Sequence, residues 1–225
     1  MQRAVKTALT RLGERCSPRT IHRLNAVVNY LEVGRWMHAH GFATSPRVDT
    51  REQIFELIAR DVADEQVLYL EFGVYEGESM RVWSRLLRSE RSQLHGFDSF
   101  EGLPEEWSLE EGRGHFSTGG EPPRIEDPRV RFFKGWFGDT LPAYEPPPHE
   151  RLVVNVDADL YASAALALST VEGLLVPGSY IYFDELNDRV HELRAFDEFL
   201  ARTGMRFRTV AASPELSHVA FRREA

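Results

Sequence analysis

Two acidic pairs dominate the chemistry open to this chain. Asp157-Ala158-Asp159 closes the apolar run Leu152–Val156, and Asp184-Glu185 closes the run Tyr180–Phe183. Ends of neighbouring parallel strands lie about 5 Å apart, so four carboxylates would converge at one sheet edge. A hard cation such as Mg²⁺ gives like charges a reason to gather there, because it takes oxygen ligands and keeps some water. Acids that merely cap helices explain one such residue more readily than two adjacent pairs. Two histidines offer a further base. His191 opens a helical pattern six residues past Glu185, and His115 sits in a long loop; the other six histidines, His218 included, have no special context.

A second constellation lies upstream. The run Val67 to Glu76 leads into Gly77-Glu78-Ser79 and an amphipathic stretch with Met80, Trp83 and Leu87. It reads as a buried strand, a tight turn and a helix. Glycine lets a ligand approach the backbone closely, and the first such crossover of an α/β sheet is where nucleotide-like ligands bind. Glu71, Glu76 and Glu78 would repel a pyrophosphate. They suit a neutral or cationic adenosine compound, of which S-adenosylmethionine (SAM), a sulfonium, is the obvious one. Asp98-Ser99, about 20 residues past Gly77, is placed to accept from ribose hydroxyls, and Gly135-Trp136-Phe137 could hold an adenine.

The elements that must position these residues follow from pattern. Strands are expected at 67–73, 93–98, 130–134, 151–157, 179–184, 206–211 and 217–223. Helices are expected at 77–89, 161–175 and 190–203. The fourth and fifth strands are continuous apolar runs, the mark of burial on both faces. The last two strands lack an intervening helix and should pair antiparallel at an edge. Before the sheet, 19–40 carries a stripe of Ile21, Leu24, Val28 and Leu31, and Thr50 with Gln53 resembles a capping box for a helix over 51–61. This divides the chain into an N-terminal helical extension, 1–62, and a ligand-binding domain, 63–225. The loop from Ser99 to Asp127 is long for a compact domain and is expected to act as a lid, with Trp107 and Phe116 over a pocket.

Bulk properties narrow the partners. The chain has 225 residues, 27 Lys plus Arg against 35 Asp plus Glu, and a net charge of −8, which argues against a general nucleic-acid binder. A single cysteine, Cys16, excludes an internal disulfide and fits a reducing compartment, so a cytoplasmic protein is expected. No stretch approaches a membrane span. The basic segment Met1–Arg15 lacks a signal-type apolar core and reads as a helix against a partner subunit or over the site, the alternative being a basic arm on a membrane surface.

Glu71-Phe72-Gly73-Val74-Tyr75-Glu76-Gly77, Asp98-Ser99-Phe100-Glu101-Gly102-Leu103-Pro104, Gly135-Trp136-Phe137-Gly138-Asp139-Thr140-Leu141-Pro142, Asp157-Ala158-Asp159-Leu160-Tyr161 and Phe183-Asp184-Glu185 resemble the macrocin O-methyltransferase family. The resemblance spans roughly residues 65–200. It implies a Rossmann-like class I methyltransferase fold: an α/β, seven-stranded, mostly parallel sheet with an antiparallel last strand, preceded by N-terminal helices. It implies a SAM-dependent O-methyltransferase acting on a hydroxyl of a small molecule such as a sugar or natural product, working as a homodimer. Glu71, Gly73, Val74, Tyr75, Gly77 and Ser79 would hold the amino acid part of SAM. Asp98 and Ser99 would take the ribose, and Gly135, Trp136 and Phe137 would lie near the adenine. Asp157, Asp184 and Glu185 would bind Mg²⁺, Asp157 also facing the cofactor, with Asp159 as the general base and His191 a further candidate. Many relatives carry Asp-Asp where this chain has Asp184-Glu185.

Three other readings fit parts of the pattern. A metal-independent methyltransferase would need only proximity and a base. Asp157-Ala158-Asp159 also matches the DxD pattern of metal-dependent glycosyltransferases, which leaves the Glu71–Ser79 turn and Asp98 unexplained. A non-catalytic SAM-binding scaffold would not need the acidic pairs.

Overall fold

The computed structural model describes residues 3–43, 45–107 and 112–225; Met1, Gln2, Thr44 and residues 108–111 of the long loop lie outside them. Three helices come first: α1 (Arg3–Gly13), α2 (Pro18–Ala39) and α3 (Arg51–Val62). α2 starts where Ser17 accepts a hydrogen bond from the Thr20 N–H with Pro18 in the first turn, a position where proline's missing N–H costs nothing. α3 carries the expected capping box: Thr50 accepts from the Gln53 N–H, and the Gln53 side chain accepts from the Thr50 N–H.

The sheet then builds from β1 (Val67–Phe72), β2 (Gln93–Asp98), β3 (Val130–Lys134), β4 (Arg151–Val156), β5 (Tyr180–Phe183), β6 (Phe207–Ala212) and β7 (Val219–Arg223). Between them lie α4 (Glu78–Leu86), the single turn α5 (Phe137–Thr140), α6 (Tyr161–Val171) and α7 (Glu192–Thr203). The strand order is β3-β2-β1-β4-β5-β7-β6. The first five strands are parallel, and β7 inserts antiparallel to both β5 and β6. This is the expected seven-stranded sheet. The expected 161–175 helix is shorter, giving way to a tighter turn at Glu172–Leu174.

Side chains alternate across β1 with the two-residue period of a strand. Leu68, Leu70 and Phe72 face a core shared with Val154, Phe183 and Phe196. Val67 and Tyr69 face a second core with Ile54, Phe55 and Trp83. The N-terminal helices join both cores, Val33 and Met37 of α2 the first and Ile54, Phe55 and Ile58 of α3 the second. The α2 stripe is a different matter: Ile21, Leu24, Val28 and Leu31 are exposed, as are Leu9 and Leu12 of α1. The burial of α2 lies in its C-terminal half, where the helix reaches the body of the domain.

Candidate active site

At the carboxyl edge of β1, β2 and β4 the chain encloses a cavity of about 670 Å³, within the usual range for a small-molecule site. Gly73 permits it. Its φ is +92°, and a Cβ there would lie 1.7 Å from the Asp157 carbonyl oxygen, so any other residue would drive β1 and β4 apart. The turn beyond is held by Asp98: Oδ2 accepts from the N–H groups of Val74 (2.7 Å) and Tyr75 (2.9 Å), and Oδ1 accepts from Phe100 N–H (2.7 Å). A carboxylate has about four acceptor sites, so Asp98 keeps capacity to accept from a ligand hydroxyl while holding the turn.

The long loop folds back on itself. Leu103 N–H donates to His115 O and Gly114 N–H to Leu103 O, both at 2.9 Å, while Gly120 N–H donates to Phe100 O at 2.7 Å. A Cβ on Gly102 would meet the His115 carbonyl oxygen at 2.2 Å, so this close approach also depends on glycine. Trp107 and Phe116 line the cavity as expected, with Phe116 edge-on to Tyr75 at 5.6 Å.

The four acids of the β4 and β5 ends stand together on the cavity wall. Burial, reinforced by Asp184, Asp159, Glu192 and Glu71, pushes Asp157 well above the usual carboxylate range. Burial with Asp184 and Asp159 nearby pushes Glu185 up to about 7. Asp184 goes the other way. Burial opposes its ionisation, but His218 Nδ1 at 3.2 Å, the Tyr182 hydroxyl donating at 2.6 Å and Arg51 Nη1 at 3.6 Å together lower its pKa. Asp159 occupies the left-handed region at φ +54°, uncommon outside glycine though tolerated by Asp. Leu160 N–H donates to Ala158 O at 2.5 Å across it.

A methyltransferase-domain family model matches residues 70–186, about half of the chain and all of the glycine turn and acidic pairs. The chain belongs to this family. It is 30% identical over 181 residues to 8-demethyl-8-(2,3-dimethoxy-alpha-L-rhamnosyl)-tetracenomycin-C 4'-O-methyltransferase of Streptomyces olivaceus, covering 69% of this chain and 68% of that protein. It is 34% identical over 107 residues to mycinamicin III 3''-O-methyltransferase of Micromonospora griseorubida, covering 45% and 39% of the two. In fold it is similar to the O-methyltransferase NovP, with a TM-score of 0.62 at 23% identity over 78% of this chain and 80% of that one. The enzyme is a class I SAM-dependent O-methyltransferase, which removes the glycosyltransferase and scaffold readings of its acids.

Within this methyltransferase, Gly73, Val74, Tyr75, Asp98, Ser99, Gly135, Trp136, Phe137, Asp157, Asp159, Asp184 and Glu185 all line the cavity. Glu71, Gly77, Ser79 and His191 do not. Strand alternation puts Glu71 on the Tyr69 face, where it is buried and its Oε2 accepts from the Tyr69 hydroxyl at 3.0 Å. Gly77 is the left-handed cap of α4, packed under Pro123, and Ser79 is buried in the first turn of that helix. His191 caps α7, with Nδ1 accepting from the Tyr161 N–H at 3.1 Å. Among the described residues no three acids or histidines close around one point as a metal cage would require.

Three residues of the methyltransferase escaped the sequence reading. Arg51, next to the recognised Thr50 cap, lines the cavity from α3. His218 reaches Asp184 because β7 pairs with β5, with Val219 opposite Phe183; only the strand order reveals this. Glu192 is fully buried. Its Oε1 accepts from Ala158 N–H and its Oε2 from Glu185 N–H, both at 3.1 Å, so one carboxylate ties the two acid-bearing loops together. Its place one residue after His191 was a usable signal, since the start of a helix near strand ends is where such a clamp can reach.

Proposed function

We propose that this enzyme methylates a hydroxyl on the sugar of a natural product, with Asp159 as general base and Mg²⁺ held by one or two carboxylates among Asp157, Asp184 and Glu185. The observation that carries it is the placement of four carboxylates on one wall of the cavity that the glycine turn opens. The two curated relatives support the acceptor class, one by its rhamnosyl-tetracenomycin substrate and the other by its mycinamicin substrate. The C–S bond to the SAM methyl breaks as the O–C bond forms, the hydroxyl proton passes to Asp159, and S-adenosylhomocysteine leaves. An ionised Asp, with a usual pKa of about 3.9, is too weak to strip a sugar hydroxyl beforehand, so it acts as the bond forms. Trp107 and Phe116 keep water from the donor, and Glu192 holds the loops bearing Asp159 and Glu185 in register.

The donor set fits the metal. Hard carboxylate oxygens suit Mg²⁺, which needs only one or two protein carboxylates, and Asp157 and Glu185 are held in a field that disfavours their charge. When bound, the ion would supply acidification and orientation of the acceptor hydroxyl.

A second reading rests on Asp184, whose charge is already balanced by Arg51 and His218; it makes the enzyme metal-independent. The test is methyl transfer to a rhamnosylated aglycone in EDTA, then with Mg²⁺ restored, for the wild type and Asp157→Ala. The metal reading expects activity to vanish in EDTA, return with Mg²⁺, and need more Mg²⁺ in the variant. Full activity in EDTA selects the second reading.

The proposal also takes the enzyme to be a cytoplasmic homodimer. Supporting the dimer are the exposed Leu9, Leu12, Leu24 and Leu31 of α1 and α2; light scattering on the purified chain measures it.

A further inference from the structure

We infer that Arg51 binds the carboxylate of the methionine tail of SAM. The cofactor carries a sulfonium, an ammonium and one carboxylate. The cavity wall offers Asp98, Asp157, Asp159, Asp184 and Glu185, which suit the two cations and repel the carboxylate. Among the described residues lining the cavity, Arg51 is the one Lys or Arg.

Backbone amides are the usual alternative partners for such an anion, and here they are occupied. The N–H groups of Val74 and Tyr75 donate to Asp98. Those of Gly73 and Asp157 donate to the carbonyls of Phe97 and Phe72. Ala158 and Glu185 donate to Glu192. The ends of β1, β4 and β5 therefore present little but negative charge to the tail, apart from one guanidinium.

Arg51 is suited to the exchange. Its Nη2 contacts Glu78 at 2.7 Å and its Nε contacts Glu52 at 3.7 Å, but those side chains are 71% and 47% exposed, so water screens both pairs and can replace them. The third contact, to the largely buried Asp184, holds the guanidinium at the cavity. Its planar fork matches a carboxylate with two parallel hydrogen bonds. The backbone is fixed by the capping box and by Ile54, Phe55 and Ile58 in the core. The N-terminal helices thus supply part of the cofactor site.

The test is calorimetric binding of SAM and of decarboxylated SAM, which keeps the adenosine, sulfonium and amine but lacks the carboxylate. The ligands are compared on the wild type, Arg51→Gln and Arg51→Lys. The wild type should prefer SAM by at least about tenfold. Arg51→Gln should lose that preference by weakening SAM alone, with decarboxylated SAM binding as before, and Arg51→Lys should keep part of it. The decarboxylated ligand also reports whether the variants are folded. Unchanged SAM affinity in Arg51→Gln would overturn the inference, as would an equal loss for both ligands.

Discussion

Asp98 and Asp157 flank β1 on either side, each at or just past the end of its strand, and both line the same cavity. Their surroundings are opposite. Asp98 collects three backbone N–H groups and spends its charge on shaping the turn after β1. Asp157 is half-buried; its loss of water, with four other carboxylates around it, drives it toward its protonated form. An acid at a strand end is thus not one kind of residue. Where the neighbouring chain turns its amides toward it, the acid builds structure. Where it meets other acids, it stores an electrostatic demand that a cation or a proton must meet. The contrast predicts that changes on the β2 side act through stability and cofactor binding, and changes on the β4 side through turnover.

The largest effect should come from Asp159→Asn. The side chain keeps its shape and loses its basicity, so kcat should fall by roughly 10²–10⁴-fold while SAM affinity stays within about threefold. His191→Gln is the companion variant: its ring is committed to the Tyr161 N–H and lies off the cavity wall, so kcat should change by less than about tenfold. Pre-steady-state methyl transfer measures both. A large loss in His191→Gln with Asp159→Asn near wild type would exchange their roles.

Next comes Asp98→Ala. Each hydrogen bond to a charged group contributes roughly 1.5–3 kcal/mol, and three are lost together from a backbone whose Tyr75 sits at φ +49°. Even at the lower figure the loss is about 4.5 kcal/mol, so melting should drop by about 9–18 °C, since 1 kcal/mol corresponds to roughly 2–4 °C at this chain length. SAM affinity should fall in parallel, because the turn it leans on has loosened. If SAM binding weakens with no change in melting temperature, Asp98 acts as a ligand contact, and the contrast with Asp157 is drawn in the wrong place.

Much of this arrangement was legible before the structure. β4 and β5 announced themselves as apolar runs because strands covered on both faces need no polar alternation. The acids that follow them were readable for the same reason, since a strand end fixes where the next residues point. Trp107 and Phe116 were legible from the length of their loop. The residues that escaped notice were those whose role depends on distant partners. Arg51 and His218 meet Asp184 from 133 residues upstream and 34 downstream, differences of the residue numbers themselves. The hold of Asp98 on the turn after β1 was not legible, because its partners there are backbone amides, which no side-chain pattern displays. What covers the α2 stripe was not legible, because periodicity shows amphipathicity and not what packs on it.

The smallest effect, and the sharpest on charge, concerns Glu71. It lies under the site, beside Tyr69, and burial first, with Asp184 and Asp98 adding to it, raises its pKa to about 8. The unfolded chain releases that proton near 4.5. Between those values the native state holds a proton that the unfolded state has lost, so the stability that Glu71 provides is complete below about pH 4.5 and is lost as pH rises through 8. The slope is about 1.36 kcal/mol per pH unit, or roughly 2–3 kcal/mol between pH 6 and pH 9. Glu71→Gln keeps the acceptor for the Tyr69 hydroxyl and removes the ionisation. Its denaturant midpoint should therefore change less than the wild type's over that range, so the variant's advantage over the wild type should be larger at pH 9 than at pH 6 by that amount. Parallel urea titrations at the two pH values decide it. If the wild type and Glu71→Gln fall together, Glu71 is ionised in the native enzyme, and the negative charge around Asp157 is greater than the contrast with Asp98 assumes.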